Sequence, residues 1–153
     1  MKQRAIFTLK PIDSNTGQSQ LYCDGVMAVT VLDGVLLEAQ FECNGRYLLF
    51  TTGDSPFEEM LTIYLLSPSL RILDWIKLGS PYIAGVLENL GASGANSLDF
   101  SFFKKQENWR LEIFDRSRWR WGLFKSMLVE RPWRAYLRGA YLNLLDTLAL
   151  KKD

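Results

Sequence analysis

Two Asx-Gly dipeptides, Asp33-Gly34 and Asn44-Gly45, separate three short runs of strand formers, and this punctuation limits the fold more tightly than any other feature of the chain. The runs are Val26 to Leu32 (VMAVTVL), Val35 to Glu42 (VLLEAQFE) and Arg46 to Thr52 (RYLLFTT). Asp-Gly and Asn-Gly supply the positive φ that two-residue type I′ turns demand, so both dipeptides predict β-hairpins. Such turns also fix register. The first hairpin pairs Leu32 with Val35, Thr30 with Leu37, Ala28 with Ala39 and Val26 with Phe41. The second pairs Cys43 with Arg46, Phe41 with Leu48 and Ala39 with Phe50. One face of the resulting meander collects Val26, Ala28, Leu32, Val35, Leu37, Ala39, Phe41, Leu48 and Phe50. The other collects Glu38, Gln40 and Glu42, with Met27, Val29 and Tyr47 beside them. An antiparallel meander with one face in the core and the other in solvent has this alternation. Phe41 and Phe50 are therefore expected inside and Gln40 outside. If Asp24-Gly25 is also a two-residue turn, Cys23 opposes Val26. The two cysteines then lie two strands apart, about 9–10 Å laterally, too far for a disulfide.

Beyond Thr52 the pattern stays strand-like. The segment from Glu59 to Leu66 is nearly continuous in apolar residues, as a strand covered on both faces would be. Ser67-Pro68-Ser69 breaks it, and Arg71 to Leu78 follows. Leu98 to Phe103 and Trp109 to Phe114 flank the polar stretch 104–108 and read as a hairpin. Gly91 to Ser97 reads as a loop. In Ser117 to Leu123, Trp119, Trp121 and Leu123 fall on one side of a strand and Arg118 and Arg120 on the other. From Pro132 the period changes. Trp133, Leu137, Ala140, Tyr141, Leu144, Leu145 and Leu148 recur at steps of three and four, which predicts an amphipathic helix over about 132–151. Pro132 suits its first turn and Lys151-Lys152 its C-terminus, while Gly139 weakens it by about 1 kcal/mol. The expected fold is mainly β (α+β). A single domain spans 1–153, with an antiparallel meander forming a β-sandwich or open barrel and the C-terminal amphipathic helix packed on it.

The chain has 153 residues and no histidine. That absence removes the commonest general base and the commonest metal ligand, and with them every Ser-His or Cys-His nucleophile pair. The two cysteines are too few for a disulfide scaffold or, without histidine, for a zinc site. Asp54-Ser55-Pro56-Phe57-Glu58-Glu59 has a serine among acids, but Ser55, Pro56 and Glu58 fit a capping box around one short helical turn. Adjacent carboxylates in a strand point to opposite sides and cannot chelate one ion. Gly91 and Gly94 match neither a phosphate loop nor a dinucleotide fingerprint. The sequence thus predicts no catalytic constellation, no metal and no cofactor. Ala5 to Leu9 is too short for the roughly 7–15 apolar residues of a secretory signal. The uncharged runs Met60–Leu70 and Leu78–Leu87 fall short of the roughly 20 residues of a membrane span. A cytoplasmic protein with reduced thiols, away from membranes, is the expectation.

Charge is balanced overall and uneven locally. Residues 1–103 hold 6 basic and 11 acidic residues, whereas residues 104–138 hold 10 basic and 4 acidic. In a strand, Arg116, Arg118 and Arg120 share one side; in a helix, Arg131, Arg134 and Arg138 share one stripe. These six arginines are the candidate partner-binding residues, because guanidinium forks match carboxylates and phosphates. An alternative is that the arginines merely solvate an outer face and pair with Glu112, Asp115 and Glu130. Two functional readings follow. One is a non-catalytic protein that binds another protein with an acidic surface, a role that fits an inhibitor or a toxin-immunity protein. The other is a nucleic-acid-binding β-barrel that uses the basic segment 104–138, where tryptophans could stack on bases.

Overall fold

The structure is a computed structural model that describes residues 1–13, 16–53, 59–79, 85–102, 108–119, 129–130 and 134–141, of which 117–119, 129–130 and 134–141 are described by their backbone. Thirteen strands are found among these residues: β1 (Lys2–Gln3), β2 (Phe7–Asp13), β3 (Gln18–Cys23), β4 (Val26–Asp33), β5 (Leu36–Cys43), β6 (Arg46–Thr52), β7 (Leu61–Leu66), β8 (Ile72–Leu78), β9 (Glu88–Gly94), β10 (Ser97–Ser101), β11 (Asn108–Trp119), β12 (Val129–Glu130) and β13 (Arg134–Tyr141). They form three antiparallel sheets. The six-stranded sheet has the order β1-β5-β6-β7-β8-β12, the four-stranded sheet β13-β11-β10-β9, and the three-stranded sheet β2-β3-β4.

The six-stranded sheet lies in the middle, and its central strands carry apolar side chains on both faces. Every residue of β7 is buried. On one face Leu48, Phe50, Leu61, Ile63, Leu65 and Ile76 pack against Leu98, Phe100, Trp109, Leu111 and Ile113 of the four-stranded sheet. The rings of Phe50 and Phe100 meet edge to face at 5.8 Å across this interface. On the other face Leu49, Tyr64 and Leu66 pack against Phe7, Leu21 and Leu32 of the three-stranded sheet. Three layers therefore replace the expected two-sheet sandwich or barrel. The expectation of a strand covered on both faces is met in β7.

The hairpin at Asn44-Gly45 forms as its chemistry dictates. Asn44 and Gly45 have φ of 51° and 72°, and Cys43 pairs with Arg46, Phe41 with Leu48 and Ala39 with Phe50. Asp24-Gly25 forms a second such turn, with φ of 47° and 80° and Cys23 opposite Val26. Asp33-Gly34 does not. There β4 and β5 belong to different sheets, and the expected pairs of Leu32, Thr30, Ala28 and Val26 with β5 are absent. Gly34 still needs its positive φ of 107°, but it serves a crossing between layers. A Cβ on Gly34 would lie 2.8 Å from Cβ of Thr51. Gly34 N–H donates to the Gly17 carbonyl and Val35 N–H to the Thr52 carbonyl, tying the crossing to both sheets. The cysteines, both free thiols, sit in different sheets rather than two strands apart in one.

Three further expectations change. Val26 is exposed rather than in the core, at the end of β4 beside the Asp24-Gly25 turn. The expected loop Gly91 to Ser97 instead holds the end of strand β9 (Glu88–Gly94), whose small residues pair along β10 with register shifts, and the turn is confined to Ala95-Asn96. The C-terminal helix expected over about 132–151 is not shown. Residues 134–141 form β13, in register with β11 through Glu112↔Arg138 and Trp109↔Tyr141. The sequence Arg-Ala-Tyr-Leu-Arg-Gly-Ala-Tyr suits a strand as well as a helix, and Gly139 weakens either; pairing along the long edge of β11 decides between them. The hairpin of Leu98 and Trp109 forms, with Leu98 opposite Leu111 and Ser101 opposite Asn108. Its tip, the Asp54–Glu58 capping box and the residues 142–151 of the expected helix lie outside the described residues.

Candidate functional site

The three-stranded sheet has two outer edges, and the backbone geometry of each follows from its hydrogen bonds. Along β4, Gln20 Nε2 donates to the carbonyls of Ala28 and Thr30, the latter at 3.1 Å. These carbonyls therefore face β3. At Asp33 the direction is opposite: its N–H donates to Tyr64 Oη at 3.0 Å and its carbonyl accepts from Thr51 Oγ1 at 2.8 Å. Backbone direction alternates along a strand. Val29 and Val31 consequently turn their N–H and C=O groups to the side where β4 has no neighbouring strand among the described residues. Between Gln20↔Val31 and Tyr22↔Met27, two steps of β3 match four of β4. This bulge, filled by the Gln20 amide, pushes Val29 outward. Val29 is 102% exposed and Met27 63%.

Beside this edge runs a groove of about 350 Å³, lined by Val31 and Asp33 from β4, Thr62 and Tyr64 from β7, and Ile72, Trp75 and Lys77 from β8. Its shape follows from how the layers overlap. The covering sheet rests on β5 at one side, where Gln40 bonds the start of β2. At the other side it comes down on β7 and on the β7–β8 turn, where Thr30 Oγ1 donates to the Leu70 carbonyl. The central sheet continues beyond this line into β8 and β12. Three strands thus cover a sheet of six, and β8 remains as a shelf. Leu70 is held at a φ of 61° in the turn that carries this contact.

Along the shelf the chemistry is graded by register. Ile72 stands at one end, Tyr64 pairs with Trp75 at the centre, and Thr62 pairs with Lys77 at the other end. Burial pushes the Tyr64 phenol up to about 12, so it stays protonated at neutral pH while it accepts from Asp33 N–H. Asp33 also lines the groove, and its carboxylate accepts from Gln18 Nε2 at 3.2 Å. The groove combines an apolar and aromatic floor, two charges of opposite sign and an unpaired strand edge. These are means of recognition. No group of three or more cysteine, aspartate or glutamate residues among those described is placed to hold a metal ion.

Of the six arginines singled out from sequence, the four described ones lie on the opposite layer. Arg116 is exposed on β11, next to Asp115, whose carboxylate accepts from Asn44 Nδ2 at 3.1 Å and Arg46 at 3.4 Å. Arg134 and Arg138 are on a strand and not on a helix stripe. The structure brings that strand beside β11, with Arg118 in register with Ala135, Trp119 with Arg134 and Glu112 with Arg138. Four of the six arginines therefore share two neighbouring strands, although Arg138 is matched to an acid and Arg134 to a tryptophan. Arg120 and Arg131 lie outside the described residues. Sequence reasoning missed the β4 edge and the shelf residues Tyr64, Ile72, Trp75 and Lys77. The available signal was the run Val26 to Leu32, seven residues with neither charge nor proline. Among the described residues, no helix is long and apolar enough to cross a membrane. Comparisons with protein-family models, with curated protein sequences and with solved structures found no match to this chain.

Proposed function

We propose that this protein acts by binding another protein, without chemistry of its own, and that the open edge of β4 with its shelf is the binding surface. One observation carries the reading: β4 presents unpaired backbone and exposed Val29 and Met27 beside a ready groove. Folded proteins normally blunt such edges with proline, charge or a covering element, since an open apolar edge recruits other chains. An edge left open over an aromatic floor suits recognition by strand pairing. A role as an inhibitor or immunity protein fits such a surface, and two free thiols suit a cytoplasmic setting. The test is affinity capture from the native host on wild-type protein, Val29→Lys and Val31→Pro. A protein retained by wild type and lost with both variants supports the proposal. Identical capture by all three refutes it.

A second reading rests on the pairing of β11 with β13, which gathers Arg116, Arg118, Arg134 and Arg138 on one sheet. It predicts binding of an acidic protein or a nucleic acid that weakens steeply with salt. Titration of a fluorescent single-stranded oligonucleotide at low and at physiological salt tests it. No binding at low salt removes the nucleic-acid form.

A further inference from the structure

We infer that the occupant of the groove is an extended segment of a partner protein, added to β4 as one more strand, with apolar residues over Tyr64 and Trp75 and an acid facing Lys77. The inference rests on the proposal that the β4 edge is the binding surface, and it specifies what binds there. The backbone sets the mode. Val29 and Val31 are two residues apart and aim their N–H and C=O groups to the same open side, the spacing at which an added antiparallel or parallel strand bonds. The bulge between Val31 and Met27 leaves its extra carbonyls, those of Ala28 and Thr30, on the side facing β3, where the Gln20 amide takes them up.

The layers set the width. Neighbouring strands lie about 4.8 Å apart, so one added strand comes to rest over β8. Below it is the floor of Ile72, Trp75 and Lys77. This shelf argues against a second copy of the chain. A copy offering its own β4 would bring its own β8 shelf on the same level, and the two central sheets would collide. A free extended segment is one strand thick and has no such layer.

Charge sets the sequence. Alternate residues of an added strand face the floor or solvent. A residue facing the floor at the Thr62 end meets the Lys77 ammonium, the one cationic side chain among the described lining residues. Its neighbour in sequence faces outward beside the Asp33 carboxylate. Opposite charges placed directly across strands stabilise the pairing. The segment recognised best therefore alternates apolar residues over the centre and ends in an adjacent acid and base, the acid toward Lys77 and the base toward Asp33.

The probe is a random heptapeptide library displayed on phage and selected on the full chain. Expected is enrichment of β-forming peptides with that paired acid and base. The synthetic enriched peptide should lose about tenfold or more in affinity for Lys77→Glu, and selection on that variant should exchange the acid for Lys or Arg. Methylating alternate backbone amides of the peptide should abolish binding in one phase of the alternation and spare it in the other. Peptide binding that ignores amide methylation in both phases overturns strand addition, while loss of the captured protein with Val29→Lys and Val31→Pro would still uphold the edge as binding surface. Enriched peptides with no acid preference overturn the Lys77 assignment. A wild-type dimer in sedimentation, abolished by Val31→Pro, would assign the edge to a second copy and overturn the inference.

Discussion

The two edges of the three-stranded sheet are treated in different ways. At the β2 edge, Gln40 acts as a piece of neighbouring strand. Its Oε1 accepts from the N–H groups of Ile6 and Phe7 at 2.8 and 2.9 Å, and its Nε2 donates to the Phe7 carbonyl at 3.1 Å. Four residues on, Pro11 has no N–H to offer at the same edge, and Lys10 adds a charge that also sits 4.3 Å over the Tyr22 ring. Proline and lysine are among the devices by which proteins close an edge, and here a side-chain amide joins them. The β4 edge has none of them from Met27 to Leu32. Edge protection is therefore heavier at the β2 margin than at the β4 margin, where the bulge is the one such device from Met27 to Leu32, and the less protected margin is the one with a groove beneath it. The difference gives the open edge its meaning.

The largest expected effect tests how β4 became an edge at all. Gly34 ends the strand with a φ that side chains avoid, and it abuts Thr51. Gly34→Ala should cost about 2–4 kcal/mol in urea unfolding, from backbone strain plus overpacking. A loss below about 0.5 kcal/mol would show that the crossing is not rigid there and that β4 could fold onto β5.

Gln40 is next. Gln40→Ala should cost about 1–3 kcal/mol, because it leaves Phe7 and Ile6 backbone groups without partners at a half-buried site. The sequence reading placed Gln40 on a solvated face, where alanine would change stability by less than about 0.5 kcal/mol. Chemical denaturation distinguishes the two, and a small value would mean that the β2 edge is as open as the β4 edge.

Tyr64 is the counterpart on the β4 side. Tyr64→Phe removes the acceptor for Asp33 N–H and should cost about 1 kcal/mol near neutral pH. The phenol also gives a pH signature. Its folded value of about 12 lies above the ordinary 10, so the unfolded chain releases the proton first as pH rises. The contribution is intact below about 10 and disappears as pH climbs toward about 12. Wild type should therefore lose more stability than Tyr64→Phe across that interval in melts at graded pH. Parallel curves would place the phenol in contact with solvent.

What the sequence made legible and what it hid divide along the same line. Turn chemistry was readable at Asn44-Gly45 and Asp24-Gly25, and the polar stretch 104–108 marked the hairpin of Leu98 to Phe103 with Trp109 to Phe114, although the turn between β9 and β10 read as a loop. The unbroken apolar run of β7 correctly announced two covered faces. Asp33-Gly34 carried the same signature as Asn44-Gly45, and a positive φ is needed at both glycines. Whether the chain then folds back or crosses to another layer depends on what Thr51, Thr52 and Gly17 offer, and these lie far away in sequence. The candidate site was hidden for that reason. Val26 to Leu32 reads as a strand with a core face, which Leu32 and Ala28 confirm, but an open edge exists only once the neighbours are known. The arginines were visible because charge needs no partner to be counted, and the strand that brings Arg134 and Arg138 beside β11 resembled a helix because its apolar residues satisfy both periods.

The smallest expected effect on stability is also the sharpest test of the comparison. Val29 buries nothing, so Val29→Lys should change the free energy of unfolding by less than about 0.5 kcal/mol. Its backbone stays in place because the Gln20 amide, not the Val29 side chain, holds the bulge. The substitution places on β4 the charge that Lys10 places on β2. A folded variant that melts like wild type and no longer retains a partner locates recognition at this edge, since stability and binding then separate at a single side chain. A variant that melts like wild type and binds like wild type would mean that an unblunted edge is tolerated here without a partner. In that case the surface on β11 and β13 becomes the place to look. A markedly less stable variant would place Val29 in a contact that the described residues do not include, and the contrast between the two edges would then vanish.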